Sequence, residues 1–159
     1  MSKPLAKLFT LFVFCLILVS CNEEDPFKID YSLVPDPFSL EGATKVETDS
    51  GLIYYKVKEG SGQYGVVFRD FITVYYTLRS SEGTIIKSSY INLNSQPVTA
   101  SVSPTGNSSV FLHEGIQEGV LGMKNGGKRV LFVPPELHRD RTFPDDTIRV
   151  DLELDKIIL

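Results

Sequence analysis

One stretch of the chain, residues 119–137, constrains the fold more than any other. It reads Gly-Val-Leu-Gly-Met-Lys-Asn-Gly-Gly-Lys-Arg-Val-Leu-Phe-Val-Pro-Pro-Glu-Leu. Its Asn-Gly-Gly segment tolerates positive φ, which predicts a tight turn. The following run, residues 129–133, is rich in β-forming residues and bounded by breakers, so it predicts a buried strand. The stretch therefore predicts the end of a short helix, a turn, a strand and a Pro-Pro stop.

Strand patterns lie on both sides of this stretch. Residues 52–57 predict a first strand, residues 85–86 begin a hairpin partner, and residues 147–158 close the sheet. Residues 114–122 are the good helix candidate. Apolar residues at every second position are typical of a half-buried strand. This alternation is found at Ile72, Val74, Tyr76 and Leu78. Strands, one short helix and strands again predict an α+β fold with an antiparallel sheet.

The first twenty residues have the composition of an export signal. Two lysines precede an apolar run over residues 8–19. That run is shorter than the roughly 20 residues of a membrane-spanning helix and is typical of a signal peptide. Ser20 stands directly before Cys21, which resembles the lipobox of bacterial lipoproteins. We therefore expect residues 1–20 to be removed and Cys21 to carry lipid. An ordinary secretory signal with a chance cysteine is the alternative.

The composition excludes several classes of function. Without residues 1–20 the chain has 139 residues, the size of one domain with a tail. Two lysines leave with the signal, so 14 basic residues face 20 acidic ones and the net charge is −6. An acidic chain without basic clusters argues against nucleic acid as a partner. Cys15 lies in the signal and Cys21 is the expected lipid site, so no thiol remains for a disulfide or a soft metal site.

Residues 21–44 predict a polar tether between the lipid and the domain. Its breakers are Pro26, Pro35, Pro37 and Gly42. Residues 22–25, Asn-Glu-Glu-Asp, resemble the acidic export signal of surface lipoproteins in the Bacteroidetes, and a solvated linker is the other interpretation. We expect an outer-membrane lipoprotein that faces the periplasm or the cell surface. Four apolar residues leave open that the segment docks on the domain: Phe27, Tyr31, Leu33 and Phe38.

Four segments in the right order resemble the FKBP-type peptidyl-prolyl isomerase family. Residues 118–137 are similar to the family's helix end, Gly-Gly-Lys-Arg turn and Pro-Pro-Glu-Leu strand end. Residues 70–78 are similar to its second core strand, residues 82–89 to the turn that follows, and residues 146–154 to its last strand. The resemblance covers residues 45–159. It implies a five- to six-stranded antiparallel half-barrel wrapped around one short helix, and isomerase activity on proline-containing polypeptides without cofactor or metal.

Prolyl isomerisation needs no nucleophile. Amide resonance sets a barrier of about 18–20 kcal/mol, and an enzyme lowers it by binding the twisted amide better than the planar one. A bowl of aromatic side chains suits this task, because it buries the pyrrolidine ring and excludes water. The family resemblance implies such a bowl over the concave sheet.

The aromatic positions of that bowl are mostly changed in this chain. Tyr76 keeps the strand tyrosine, whereas Ile86 and Val150 stand where the family usually has Phe. Ile116 stands at the position of the family's Trp, and the chain contains no Trp. The loop over residues 135–144 is shorter than usual, and Phe143 is a candidate to fill part of the gap. Aliphatic residues bury less apolar area, so the resemblance implies a slow isomerase.

The rim of the bowl has changed its charge. Lys87 stands where the family usually has Asp, and Arg139 lies in a triplet that is usually Ala-Tyr-Gly. Leu112 and His113 stand where the pair before the helix is usually Val-Ile. One interpretation is a cleft that prefers an anionic group. The other is a set of solvated cations that pair with Asp140, Asp145 or Asp146 and contribute little.

Three interpretations of the pocket remain open. The chain is a slow isomerase, or a non-catalytic binding or chaperone-like module on the same fold, or its aliphatic residues fill the core and leave no cleft. A metal pair of His113 and His138 would require the loop to fold onto the helix start, and no third ligand is evident. We therefore expect no metal.

Overall fold

The computed structural model describes residues 28–103 and 113–158. Within these ranges the strands are β1 (Thr44–Glu47), β2 (Ile53–Lys58), β3 (Phe71–Arg79), β4 (Ile85–Ser88), β5 (Val98–Ser101), β6 (Lys128–Val133) and β7 (Ile148–Ile158). The helix α1 (Glu114–Val120) lies between β5 and β6, and a 3₁₀ turn (Pro135–Leu137) follows β6. The expected signal segment, Cys21 and Leu112 lie outside the described residues.

The strands form one antiparallel sheet with the order β1-β2-β6-β7-β3-β4, and β5 pairs with β3 beyond the end of β4. The sheet is open, and α1 packs against it. The expected α+β class with an antiparallel sheet around one short helix is confirmed. The described sheet has seven strands rather than five to six. The additional strands, β1 and β5, have four residues each, too few for a clear alternating pattern.

Two glycines of the helix face β6 and allow a close approach to that strand. A Cβ atom at Gly119 would lie 2.5 Å from Leu131 Cδ1, and one at Gly115 would lie 2.6 Å from Val133 Cγ1. Residues four apart share one face of a helix, so the glycines together provide the space. The helix buries Ile116 and Val120 in the core that lines the inner face of the sheet.

The C-terminal end of α1 is held by a buried arginine. Arg129 Nη1 donates to the carbonyl oxygens of Gly119, at 2.8 Å, and Leu121, at 2.9 Å. These are among the carbonyls that a helix end leaves without partners. The guanidinium also lies 4.6 Å from the centre of the Tyr54 ring. The helix ends at Val120 rather than at residue 122, because Gly122 has a φ of +72° and belongs to the turn.

A buried charge cluster on the outer face of the sheet binds the segment before β1. The carboxylate of Asp151 accepts hydrogen bonds from Arg79, from Arg149 and, at 3.0 Å, from the backbone N–H of Phe38. The arginines in turn donate to the carbonyl oxygens of Pro35, at 2.8 Å, and Phe38, at 2.7 Å. This part of the expected tether therefore lies on the domain.

The same segment is attached a second time, at the other end. The Asp30 N–H donates to Asn92 Oδ1 at 3.0 Å, and the Asn92 N–H donates to the Asp30 carbonyl at 2.8 Å. We call residues 30–38 the strap. Asn92 and Leu93 have φ values of +50° and +61°, which few residues other than glycine adopt.

Among the residues that the structure describes, no helix has the length and apolar character to cross a membrane.

Candidate functional site

Four of the expected pocket residues meet in one cleft. Ile86 and Lys87 come from β4, His113 from the residue before α1, and Arg139 from the loop after the 3₁₀ turn. The cleft has a volume of about 560 Å³, which is within the range of ligand pockets. Its remaining lining residues are Leu78, Asp140, Arg141 and Thr142. We call it the Lys87 cleft, with an apolar part at Leu78 and Ile86 and a charged rim.

Tyr76 lines a second cavity that shares Ile86 and Lys87 with the first. This Tyr76 cavity has a volume of about 530 Å³, and Tyr31 of the strap forms part of its wall. Burial, and to a smaller extent the nearby Tyr31, raises the pKa of Tyr76 to about 12. The phenol therefore keeps its proton at neutral pH and remains a hydrogen-bond donor. Ile86 lies between the two cavities.

The other expected pocket residues lie elsewhere. Ile116 and Val150 are 1% and 0% exposed in the hydrophobic core, and neither is among the lining residues of the Lys87 cleft or the Tyr76 cavity. Their role as a pocket floor stays a prediction. Phe143 lines a separate depression of about 380 Å³ with Ser81 and Glu82. Leu112 is not among the described residues.

His113 is neutral and positions the backbone of the neighbouring loop. Its Nδ1 accepts the Arg139 backbone N–H at 2.9 Å, so the ring proton is on Nε2. Burial first, then His138 and Lys87, lower the pKa of His113, and Asp140 partly opposes them. His113 is thus a lining residue of the Lys87 cleft that carries no positive charge.

The loop does fold onto the helix start, as a metal pair of His113 and His138 would require. The two rings contact edge to face with centroids 5.7 Å apart. However, His138 Nε2 donates to the Asp146 carbonyl at 2.7 Å, and its Nδ1 accepts the Asp140 N–H at 3.2 Å. Both nitrogens of His138 are therefore engaged with backbone. Among the described residues no three His, Cys, Asp or Glu side chains are grouped as metal ligands would be.

Arg139 at the charged rim pairs with Glu114 and not with one of the three aspartates expected from the sequence. Arg139 is 76% exposed and forms its ion pair with Glu114, at 3.0 Å. Asp146 instead accepts the Ser81 N–H at 2.9 Å. One carboxylate oxygen of Asp140 accepts two backbone N–H groups of its own loop, from Thr142 and Phe143 at 2.9 Å each. These acids thus order the loop.

Sequence reasoning missed several lining residues. Leu78 was expected only in the core, although it also borders the Lys87 cleft. Arg141 and Thr142 follow Arg139 directly in the loop, so their proximity was a signal that went unused. Tyr31 was noted as an aromatic residue of the strap, but nothing in the sequence connected it with Tyr76.

Comparison with known proteins decides the family. Residues 64–151 match the sequence family described as FKBP-type peptidyl-prolyl cis-trans isomerase. The chain belongs to this family. The match includes β3 to β6, the helix and the first part of β7, and therefore every described residue of the Lys87 cleft.

The relatives of this FKBP-family chain include one protein named as an isomerase and one named otherwise. It is 34% identical, over 77% of its length and 44% of the relative's, to a probable FKBP-type isomerase, FkpA, of Neisseria meningitidis. It is also 34% identical, over 72% of its length and 51% of the relative's, to the chloroplast protein named photosynthetic NDH subunit of lumenal location 4 in Arabidopsis thaliana. The chain spans about half the length of these relatives.

The fold comparison agrees with the sequence comparison. The crystal structure of FkpA from Escherichia coli superimposes with a TM-score of 0.60 and 25% identity. The superposition covers 71% of this chain and 51% of that one. The expected FKBP-like fold is thus confirmed.

Proposed function

We propose that this FKBP-family protein is a slow peptidyl-prolyl isomerase that acts on proline-containing polypeptides in the cell envelope. The observation that supports this best is the Lys87 cleft, in which an apolar surface lies beside a neutral histidine. Family membership supports the reaction class. The cleft supplies a place where the chain's own residues can bind a prolyl amide.

The Lys87 cleft and the adjoining Tyr76 cavity contain groups that suit this reaction. Leu78 and Ile86 offer apolar surface for a pyrrolidine ring. His113 carries its proton on Nε2, and Tyr76 is a protonated phenol in the adjoining cavity. When the conjugation is broken the amide nitrogen regains its lone pair, so a hydrogen bond donated to that nitrogen stabilises the twisted amide more than the planar one. Such differential binding lowers the barrier to rotation.

The low rate follows from the reduced apolar surface. Ile86 replaces the Phe usual in the family, and the fully buried Ile116 and Val150 replace a Trp and a Phe. Each lost aromatic ring removes contact area under the prolyl site, and apolar burial stabilises by roughly 25 cal/mol per Å². The surface at Leu78 and Ile86 is retained, so we expect activity to be weak rather than absent.

The proposed location depends on the N-terminal sequence. Residues 1–20 have the pattern of a signal peptide, and Cys21 stands where lipoproteins carry their acyl chains. The protein would then be held in the outer membrane by lipid, with its domain in the periplasm or at the cell surface. Its clients would be polypeptides that have crossed the inner membrane.

A non-catalytic binding or chaperone-like module is the second candidate. The observation in its favour is that Ile116 and Val150 fill the core in place of the family's aromatic residues. One relative, moreover, is named as a photosynthetic NDH subunit and not as an isomerase. This candidate predicts binding of unfolded chains with no acceleration of proline exchange.

Substitutions at Ile86 test the proposal, because this residue borders both cavities. Isomerisation of short Xaa-Pro peptides would be followed by exchange NMR, which needs no auxiliary protease. We expect Ile86→Ala to lower the rate and Ile86→Phe to raise it. Ile158→Ala is the matched control, since it truncates an exposed isoleucine at the end of β7 that lines neither cavity.

Two results would contradict the proposal. Absence of catalysis in both wild type and Ile86→Phe, with folded protein by circular dichroism, would favour the non-catalytic module. Equal losses in Ile86→Ala and Ile158→Ala would mean that the Lys87 cleft is not where the peptide binds.

A further inference from the structure

We propose that the Lys87 cleft selects polypeptides that carry an acidic residue directly next to the proline. This inference rests on the proposed function, because it assigns a client class to the same cleft. The argument depends on the rim, where three cationic side chains from two separate parts of the chain border one apolar surface: Lys87, Arg139 and Arg141.

The charge of the rim is opposite to that of the whole protein. The full sequence has a formal net charge of −4. In the cleft lining, the three cations face one acid, Asp140. One sign of charge along a cleft with apolar walls concentrates the field there and raises the local concentration of the opposite ion. An acidic peptide is therefore attracted to this cleft, although the protein as a whole is acidic.

Glu114 and Asp140 do not occupy all the hydrogen-bond donors of Arg139. One oxygen of Asp140 already accepts two backbone N–H groups of its own loop. Glu114 lies beside Arg139, but the bond joins one guanidinium nitrogen and one carboxylate oxygen, at 3.0 Å. A guanidinium carries five N–H donors, so Arg139 retains donors for a second carboxylate.

Neutral His113 completes the arrangement. Its lowered pKa keeps the positive charge at the rim and out of the deeper part of the cleft. A proline ring at Leu78 and Ile86 would therefore meet an uncharged surface. The residue next to it along the peptide lies within one residue's length, about 3.8 Å between Cα atoms, and so reaches the cationic rim.

Binding of two sets of three labelled peptides tests the inference without reference to catalysis. The peptides share one sequence and differ only beside the proline, as Glu, Leu or Lys, in versions with that residue before or after it. Fluorescence anisotropy would give the affinities at low and at high salt. We expect a Glu peptide to bind roughly three- to tenfold more tightly than Leu, as for one or two partly exposed ion pairs. Lys should bind most weakly. Salt should reduce the difference, because the Debye length falls from about 10 Å at 0.1 M to about 3 Å at 1 M.

Substitutions at the rim test whether the preference for the Glu peptide originates in the Lys87 cleft. Lys87→Gln and Arg139→Gln, singly and together, should remove the Glu preference and leave the affinity for the Leu peptide within about twofold. Lys56→Gln is the matched control. This substitution removes one positive charge from β2, and three strands lie between β2 and β4 in the sheet. Like Arg139, Lys56 has an acidic neighbour, because its Nζ lies 3.4 Å from a carboxylate oxygen of Glu59.

The outcomes distinguish this inference from the proposed function. A Glu preference that Lys87→Gln and Arg139→Gln remove, and that Lys56→Gln retains, supports the inference, even if exchange NMR detects no turnover and the proposed isomerase activity fails. Equal binding of Glu and Leu by wild type overturns it, even if the protein is a good isomerase. Loss of the preference in Lys56→Gln as large as in the cleft variants also overturns it.

Discussion

Replacement of Asp151 by asparagine tests whether the buried charge cluster holds the strap and the sheet together. The side chain of Asp151 is 5% exposed and bonds Arg79, Arg149 and the Phe38 N–H. Asparagine has nearly the same shape, but it leaves two guanidinium groups without a counter-charge. Breaking a buried ion pair in this way costs about 3–5 kcal/mol.

The structure predicts that the cost of Asp151→Asn lies near the lower end of that range. Arg79 is almost fully buried, so water cannot replace the counter-charge that it loses, whereas the side chain of Arg149 is 22% exposed to water. The arginines also retain their bonds to the carbonyl oxygens of Pro35 and Phe38. We expect Asp151→Asn to lower the free energy of unfolding by about 3 kcal/mol, measured in urea. The strap, which contains Tyr31 and Phe38, should also become cleavable by chymotrypsin at concentrations that leave wild type intact.

Glu153→Gln is the matched control, two residues further on the same face of β7. Its ion pair with Lys128 is similar in length, 2.8 Å, but both side chains are 28–30% exposed. Exposed pairs contribute about 0–1 kcal/mol, so this variant should be nearly as stable as wild type. If Asp151→Asn costs no more than Glu153→Gln, burial of the cluster does not have the energetic role that we assign to it.

Four further outcomes follow from the structure. Gly119→Ala should destabilise by about 1–3 kcal/mol, because its Cβ atom would lie 2.5 Å from Leu131, and a less-than-additive double mutant with Leu131→Ala would confirm the contact; additivity would contradict it. Because the pKa of His113 is lowered on folding, the unfolded chain takes up that proton first, so stability should fall as the pH drops below about 6.5. Urea unfolding of His113→Gln should show a weaker dependence there, and an unchanged profile would refute this assignment. Ile116→Trp should overfill the core and lower the stability by about 1–3 kcal/mol, whereas a stable variant with increased isomerase activity would show that this position opens on the pocket. Cys21→Ser should release the protein from membranes after a salt wash, since acyl chains contribute about 0.8 kcal/mol per buried CH₂, and continued membrane association would refute the lipoprotein proposal.

The sequence predicted the elements that local patterns encode. The alternation of Ile72, Val74, Tyr76 and Leu78 identified β3 and its buried face, and all four side chains lie in the core. The Asn-Gly-Gly turn and the run after it correspond to the connection into β6, where Gly126 has a φ of +73°. Both signals depend on residues close together in the chain, so they can be read without the tertiary structure.

The features that sequence reasoning missed depend on contacts distant in the chain. The strap is held by Asp151, 113 residues beyond Phe38, and by Arg79, 44 residues beyond Pro35. No local pattern connects them. In the cleft, position matching placed Ile86, Lys87, His113 and Arg139 together because the scaffold is shared with the family. It did not reveal that Glu114 is the partner of Arg139, since that choice depends on the loop over residues 138–146.

If Cys21 carries lipid, as we propose, the strap also limits the distance between the domain and the membrane. Among the residues that the structure describes, the first with a hydrogen bond to the domain is Asp30, nine residues after Cys21. A tether that ended at residue 44 would have 23 residues after Cys21. A fully extended chain spans about 3.3–3.6 Å per residue, so the reach from a lipid at Cys21 shrinks from about 80 Å to about 30 Å. The latter is about the diameter of a small domain. A domain attached in this way by a lipid at Cys21 would begin within about one domain diameter of the bilayer, so it would act on polypeptides close to that surface.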